Sequence, residues 1–118
     1  MLYTSQYRYS GQDRLDITAK GTSKASRMFS PTWVLVMDYK KGLITGQQYT
    51  ERYYELLIRR WHRIELFKEE MAKLVEQANS SSVTVVCFCP AGNFCHRHLF
   101  AEFVRHNYNV KLGGEVGV

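Results

Sequence analysis

The residues best suited to chemistry lie together at Cys95, His96 and Arg97, one short loop after a strand-like hydrophobic run. Apolar side chains recur at helical spacing from Leu99 to Val104, so Cys95 is predicted at a helix N-terminus, where unpaired N–H groups favour a thiolate. The adjacent His96 and Arg97 favour the thiolate further, which makes Cys95 a candidate nucleophile and His96 a second candidate catalytic residue, although the sequence identifies no second base. Each also has a structural alternative, Cys95 as a small buried cap and His96 as a hydrogen-bond partner of strand-end backbone. The residues alone leave both readings open.

Three segments are candidates for binding an anion. Arg97 can complete a phosphate site with the backbone amides of the helix start, or it can act structurally as a fork that holds loop carbonyls in place. Lys20, Gly21 and Thr22 follow a predicted strand, where the glycine lets the backbone approach an anion and the lysine supplies charge. The alternative for these three residues is a solvated turn. Ser5 lies near the end of the first predicted strand and is the last candidate ligand-binding residue.

A metal site is disfavoured by spacing, although Cys87, Cys89, Cys95 and His96 are all zinc-type ligands. The two-residue knuckle spacing is absent. Cys87 and Cys89 would stand about 6.5 Å apart on one strand face. Cys95 and His96 would diverge by about 100° on a helix. We therefore expect no metal and no cofactor, with Cys87 a small buried hydrophobe.

These candidates must be positioned by a sheet. The run 83–89 contains β-branched, aromatic and cysteine residues without charge, which is typical of a strand buried on both faces, and Pro90 ends it. Further strands are predicted near 1–9 and 13–19, with a fourth considered at 109–112. The pattern predicts a small three-layer α/β sandwich with a mainly parallel, Rossmann-like sheet. Ligands of such sheets bind outside the carboxyl ends of the strands.

Helices are predicted between the strands. Ser30 and Pro31 have the character of an N-cap and a first helical residue, so 32–41 is predicted as a helix, although its apolar run also suits a strand. Thr45 and Gln48 have the spacing of a capping box before a long amphipathic helix. A further helix is predicted at about 64–78.

Several stretches resemble the domain-of-unknown-function family 488. The clearest are Cys-Phe-Cys-Pro at 87–90 and Asn-Phe-Cys-His-Arg-His-Leu at 93–99. Residues 3–7, 17–22 and 44–53 are also similar to it, in the family's order. The resemblance favours the helix at 32–41 and supports the fold, but the family has no settled activity to transfer.

Length and composition limit the class of protein. At 118 residues, 45% hydrophobic and 23% charged, the chain is predicted to be one folded domain, 1–118. No apolar run approaches the ~20 residues that cross a bilayer, and the N-terminus lacks a signal-peptide pattern. Three cysteines within nine positions argue against a disulfide framework and favour a reducing cytoplasm. The net charge of +5 favours anionic partners.

Three functions are consistent with this pattern. The first is binding of a phosphate-bearing, nucleotide-derived small molecule in a crevice at the strand ends, with the question of catalysis left open. The second is a non-catalytic protein that sequesters a nucleotide signal or inhibits a protein, as short phage-encoded proteins do; eight tyrosines and two tryptophans leave room for a homo-oligomer interface. Nucleic-acid binding is third, because the aromatic residues follow core periodicity. No membrane partner is expected.

Overall fold

Four strands and five helices make up the part of the chain that the computed structural model describes, residues 1–88 and 94–118. The strands are β1 (Leu2–Gln6), β2 (Arg14–Asp16), β3 (Val83–Cys87) and β4 (Leu112–Val116). The helices are α1 (Lys24–Phe29), α2 (Trp33–Lys40), α3 (Gly46–Arg63), α4 (Glu65–Ser80) and α5 (His96–Tyr108).

The strands form one sheet in the order β2-β3-β1-β4, and every pairing is parallel. Val85 of the central strand β3 aligns with Thr4 on one side and Leu15 on the other. All five residues of β3 are buried, as its uncharged run of β-branched and cysteine residues predicted. Because the strands are parallel, their carboxyl ends meet at a single edge of the sheet.

The helices cover the sheet in a way that places α5 beside the central strands. α5 packs on β1 and β3, α4 packs on β3, and α1 packs on β2. α3 packs on α1, α2 and α4. The rings of Phe29, Phe67 and Phe100 meet in the core, and the hydroxyl of Tyr53 donates to the carbonyl of Phe29. The architecture is consistent with the predicted three-layer α/β sandwich.

The predicted helices are present, but their boundaries differ from the predicted ones. The capping box is present, with Gln48 N donating to Thr45 Oγ1 at 3.1 Å and Thr45 N donating to Gln48 Oε1 at 2.9 Å. Residues 33–40 are helical, but their N-cap is Thr32 instead of Ser30. Ser30 instead ends α1, a helix of six residues that the sequence analysis did not predict because one and a half turns are too short to show periodicity.

The last strand lies further along the chain than the predicted 109–112. Asn109 adopts the left-handed conformation, with φ 55°, and ends α5. Val110 is buried in the core, and the strand begins at Leu112. Among the described residues, no helix is long and apolar enough to cross a membrane.

Candidate functional site

Two cysteines meet where β3 ends and α5 begins. Cys87 is the last residue of β3 and is fully buried; Cys95 is the N-cap of α5 and is 3% exposed. Their Sγ atoms face each other as in a disulfide, but their Cα atoms are 7.8 Å apart. Disulfides rarely span more than about 7 Å between Cα atoms, so the backbone spacing of this pair is wider than a disulfide normally has. Cys89 lies outside the described residues.

His96, the first residue of α5, is buried and held by the backbone of the segment that leaves β2. Its Nε2 lies 2.6 Å from the carbonyl oxygen of Ile17. Burial lowers the pKa of His96 to about 4, so the ring is neutral near neutral pH. A carbonyl only accepts hydrogen bonds, so Nε2 carries the hydrogen and Nδ1 keeps a lone pair. His96 therefore makes the structural contact that was one of its two predicted roles, and Nδ1 is left with the electron pair of a base or a ligand.

Arg97 is fully buried and directs its guanidinium toward protein groups. Nε and Nη2 donate to the two carboxylate oxygens of Glu115 at 3.2 and 2.8 Å, and Nη1 donates to Cys87 Sγ at 3.3 Å. Thr4 Oγ1 donates to the same carboxylate at 2.5 Å. Although partial burial opposes it, the hydrogen bonds from Arg97 and Thr4 hold the pKa of Glu115 below its ordinary value. A role for Arg97 in ligand binding stays a prediction.

Cys87, Cys95 and His96 bring three metal-type ligand atoms within 4.8 Å of one another. Sequence spacing argued against such a grouping, for two reasons that the structure removes. Cys95 is an extended N-cap residue, with φ −150° and ψ 149°, so the 100° divergence of neighbouring helical residues does not apply to it. Cys87 reaches the pair from the adjacent strand, so Cys89 is not needed to complete three ligands.

Two of the predicted phosphate-binding residues have structural roles. Ser5 is fully buried, and its hydroxyl donates to the carbonyl of Val116 at 2.7 Å. Gly21 packs closely on α1, since a Cβ atom there would lie 2.3 Å from Ser26 Oγ. The absence of a side chain at Gly21 is thus explained by packing, without an anion.

Lys20 and Thr22 are exposed on either side of Gly21. The Nζ of Lys20 lies 4.1 Å from the ring centroid of Trp33, which is 43% exposed. The predicted ligand-binding role of the segment stays open, and the structure adds an aromatic partner that the sequence analysis had not singled out.

A second cation–aromatic group lies at the same edge of the sheet. Tyr7 follows β1 and Phe88 follows β3; their rings stack at a centroid distance of 4.0 Å, and Phe88 is 69% exposed. The guanidinium of Arg14 lies 4.6 Å from the Tyr7 ring centroid. Neither Tyr7 nor Phe88 was predicted as a site residue, because both fall inside the predicted strands at 1–9 and 83–89, whereas the observed strands end at Gln6 and Cys87.

Glu115 and Thr4 were also missed. The available signal was the single acidic residue within Leu112–Val116, a strand of otherwise small and apolar side chains. An isolated charge in such a strand indicates a partner, here Arg97.

The fold and the cluster define a class of protein: an α/β domain whose parallel sheet carries Cys95, His96 and Arg97 at its carboxyl edge. A family model described as "Active DUF488-N3 subclade" matches residues 4–108. This is most of the chain, so the protein belongs to the DUF488 family, as its resemblance indicated. Neither a curated protein nor a solved structure matches it significantly.

Proposed function

We propose that the protein binds a phosphate-bearing, nucleotide-derived small molecule at the carboxyl edge of its sheet. The observation that carries the proposal is the pairing of cations with exposed aromatic rings there. Lys20 lies over Trp33, and Arg14 lies over Tyr7, whose ring stacks on Phe88. An exposed aromatic face stacks on a nucleobase, and a lysine or arginine beside it neutralises a phosphate. This edge of the sheet thus offers contacts to both the base and the phosphate of a nucleotide.

The topology of the sheet also supports a ligand-binding site at this edge. In open parallel sheets, ligands bind outside the carboxyl ends of the strands. Tyr7, Phe88 and the segment containing Lys20 all follow such ends. The net charge of +5 attracts an anionic ligand to the protein. A cytoplasmic location, in which thiols stay reduced, fits the contact between Cys87 and Cys95.

A second candidate function is sequestration of the same ligand without catalysis. It is favoured by the inward contacts of the residues that would do chemistry: His96 is held by Ile17, and Arg97 by Glu115. If the site does catalyse, Cys95 is the nucleophile and Nδ1 of His96 the base.

The binding proposal is tested by thermal shift and calorimetry with nucleoside mono-, di- and triphosphates, the parent nucleosides and a short oligonucleotide. We expect a phosphorylated small molecule to raise the melting temperature, and Lys20→Ala and Trp33→Ala each to weaken its binding. Lys111→Ala is the matched control, since it removes the same charge just before β4, at the opposite edge. Binding that is equal in Lys20→Ala and Lys111→Ala would contradict the proposed location.

A separate measurement distinguishes an enzyme from a sequestering protein. The complex is denatured after incubation, and the ligand is identified by mass spectrometry. Recovery of unaltered ligand supports sequestration, whereas a converted product supports catalysis. A response to the oligonucleotide alone would favour nucleic-acid binding over both.

A further inference from the structure

We propose that Cys87, Cys95 and His96 form a zinc site, with two thiolates and one imidazole as its protein ligands. The three ligand atoms lie within 4.8 Å of one another, and all three residues are buried. Ligands about 2.3 Å from a tetrahedral zinc ion stand about 3.8 Å apart, so small side-chain rotations bring these atoms to the required spacing. Two sulfurs and one nitrogen form a soft ligand set that favours zinc over magnesium or calcium.

The tautomer of His96 suits a ligand. Its Nε2 hydrogen is directed at the carbonyl of Ile17, and this leaves the lone pair of Nδ1 for the metal. A metal-binding histidine typically donates its other ring hydrogen to a backbone carbonyl or carboxylate, which fixes the ring and makes it a better ligand. Ile17 thus provides the outer-shell contact that such a site requires.

Arg97 provides the corresponding contact to sulfur. Its Nη1 donates to Cys87 Sγ at 3.3 Å, which favours the thiolate that a metal requires. The charges also balance: the two thiolates offset a divalent ion, and Glu115 offsets Arg97. A buried cluster without net charge avoids most of the cost of transferring ions out of water.

The backbone spacing of the cysteines favours a shared ion over a covalent bond. Their Cα atoms are 7.8 Å apart, wider than a disulfide normally spans. Three protein ligands leave a fourth position for a water molecule or a substrate atom, the arrangement typical of catalytic zinc sites. The site lies at the same sheet edge as the proposed nucleotide ligand, but nucleotide binding does not depend on it. A bound zinc ion would occupy the Cys95 thiolate and the Nδ1 lone pair of His96, so these groups could not then act as nucleophile and base.

The site is tested on the full chain, purified under reducing conditions without chelator, by elemental analysis and then by titration of the metal-depleted protein with Co²⁺. We expect one zinc per chain and a cobalt complex with a thiolate charge-transfer band and the strong visible bands of tetrahedral coordination. Cys95→Ser should lower the intensity of the charge-transfer band and the affinity for the metal. Because it removes a direct ligand, the affinity should fall by more than the roughly 10- to 100-fold that follows loss of an outer-shell partner. His98→Gln is the matched control, since His98 lies on the same helix outside the three-ligand group.

Three results would overturn the proposal. The first is the absence of both stoichiometric zinc and the thiolate band in the unsubstituted protein, a measurement that does not depend on whether a variant folds. The second is a Cys87–Cys95 disulfide that mass spectrometry detects in the protein purified under reducing conditions. The third is a cobalt spectrum that Cys87→Ser and Cys95→Ser leave unchanged. Each result is distinct from loss of nucleotide binding, which is followed with Lys20→Ala.

Discussion

The Nε2 atom of His96 lies 2.6 Å from the carbonyl oxygen of Ile17, 79 residues earlier in the chain. This hydrogen bond joins the first residue of α5 to the segment leaving β2. Tyr53 of α3 packs edge-on against the imidazole, at a centroid distance of 6.1 Å. The bond therefore fixes both the tautomer of His96 and the position of the helix start that carries Arg97.

Burial of His96 predicts that the metal-free protein loses stability in mild acid. Its pKa is about 4 in the folded protein against 6.5 in the unfolded chain. Between these two pH values the unfolded state binds more protons than the folded state. The free energy of unfolding therefore decreases as pH falls through this window, and the total decrease is about 3 kcal/mol. Above a pH of about 6.5 none of this free energy of unfolding is lost, because His96 is neutral in both states. Urea unfolding at several pH values measures the change.

His96→Gln should remove most of this pH dependence. His98→Gln is the comparison: burial also lowers the pKa of His98, but that side chain is only half-buried, so most of the dependence should remain. NMR titration of the imidazole provides an independent check. A His96 ring that titrates near 6.5 in the folded protein would contradict the prediction.

Because Arg97 is buried and paired with Glu115, we expect even a nearly isosteric substitution at Glu115 to reduce the stability of the protein strongly. Glu115→Gln leaves the buried guanidinium without a counter-charge and should destabilise the protein by about 3 kcal/mol. This is the low end of the range for broken buried pairs, because the Glu115 side chain is 27% exposed. Chemical denaturation measures the loss. The exposed pair of Glu102 and Arg105 is the control, since Glu102→Gln should have little effect; equal losses at the two sites would refute a special role for Glu115.

Packing at Gly21 predicts that even one methyl group is destabilising. In Gly21→Ala the added Cβ would lie 2.3 Å from Ser26 Oγ and 2.6 Å from Ser26 Cβ, and we expect a cost of about 1–3 kcal/mol. The double variant Gly21→Ala/Ser26→Gly relieves the clash and should recover part of this loss, although it also removes the hydrogen bond from Ser26 to Asp16. Gly117→Ala is the control, because no atom lies within 4 Å of a Cβ there. A Gly21→Ala protein as stable as the control would restore the interpretation of Gly21 as a point of anion approach.

Much of the fold was predictable because it is recorded in local patterns. The central strand was found from the uncharged run of β-branched, aromatic and cysteine residues at 83–89, and the start of α3 from the reciprocal hydrogen-bonding pair Thr45 and Gln48. Both signals depend on residues near one another in the chain. The helix α1 was missed because six residues are too few to show a period.

The site was less predictable because its contacts cross the fold. His96 and Arg97 were found from their place at a helix start, but their partners come from other elements. The carbonyl of Ile17 contacts His96, and the carboxylate of Glu115 contacts Arg97. No spacing in the sequence indicates that Cys87 would contact both a thiol and a guanidinium. The spacing argument missed the grouping of Cys87, Cys95 and His96 for a related reason, since it treated Cys95 as a helical residue when it is an extended cap.

The reactivity of Cys95 separates the catalytic reading from the structural one. Cys95 is 3% exposed and Cys87 is fully buried, so iodoacetamide should label both slowly in the native, metal-free protein and rapidly after denaturation. Slow reaction is expected because a buried sulfur is shielded from the reagent, even where Arg97 and the helix start favour the thiolate. Peptide mass spectrometry after timed quenching measures each site separately. Cys95→Ser should then keep the fold and nucleotide affinity, at a cost of about 1 kcal/mol in stability. Rapid native labelling of Cys95 well ahead of Cys87 near neutral pH, together with loss of turnover in Cys95→Ser, would instead establish it as the nucleophile.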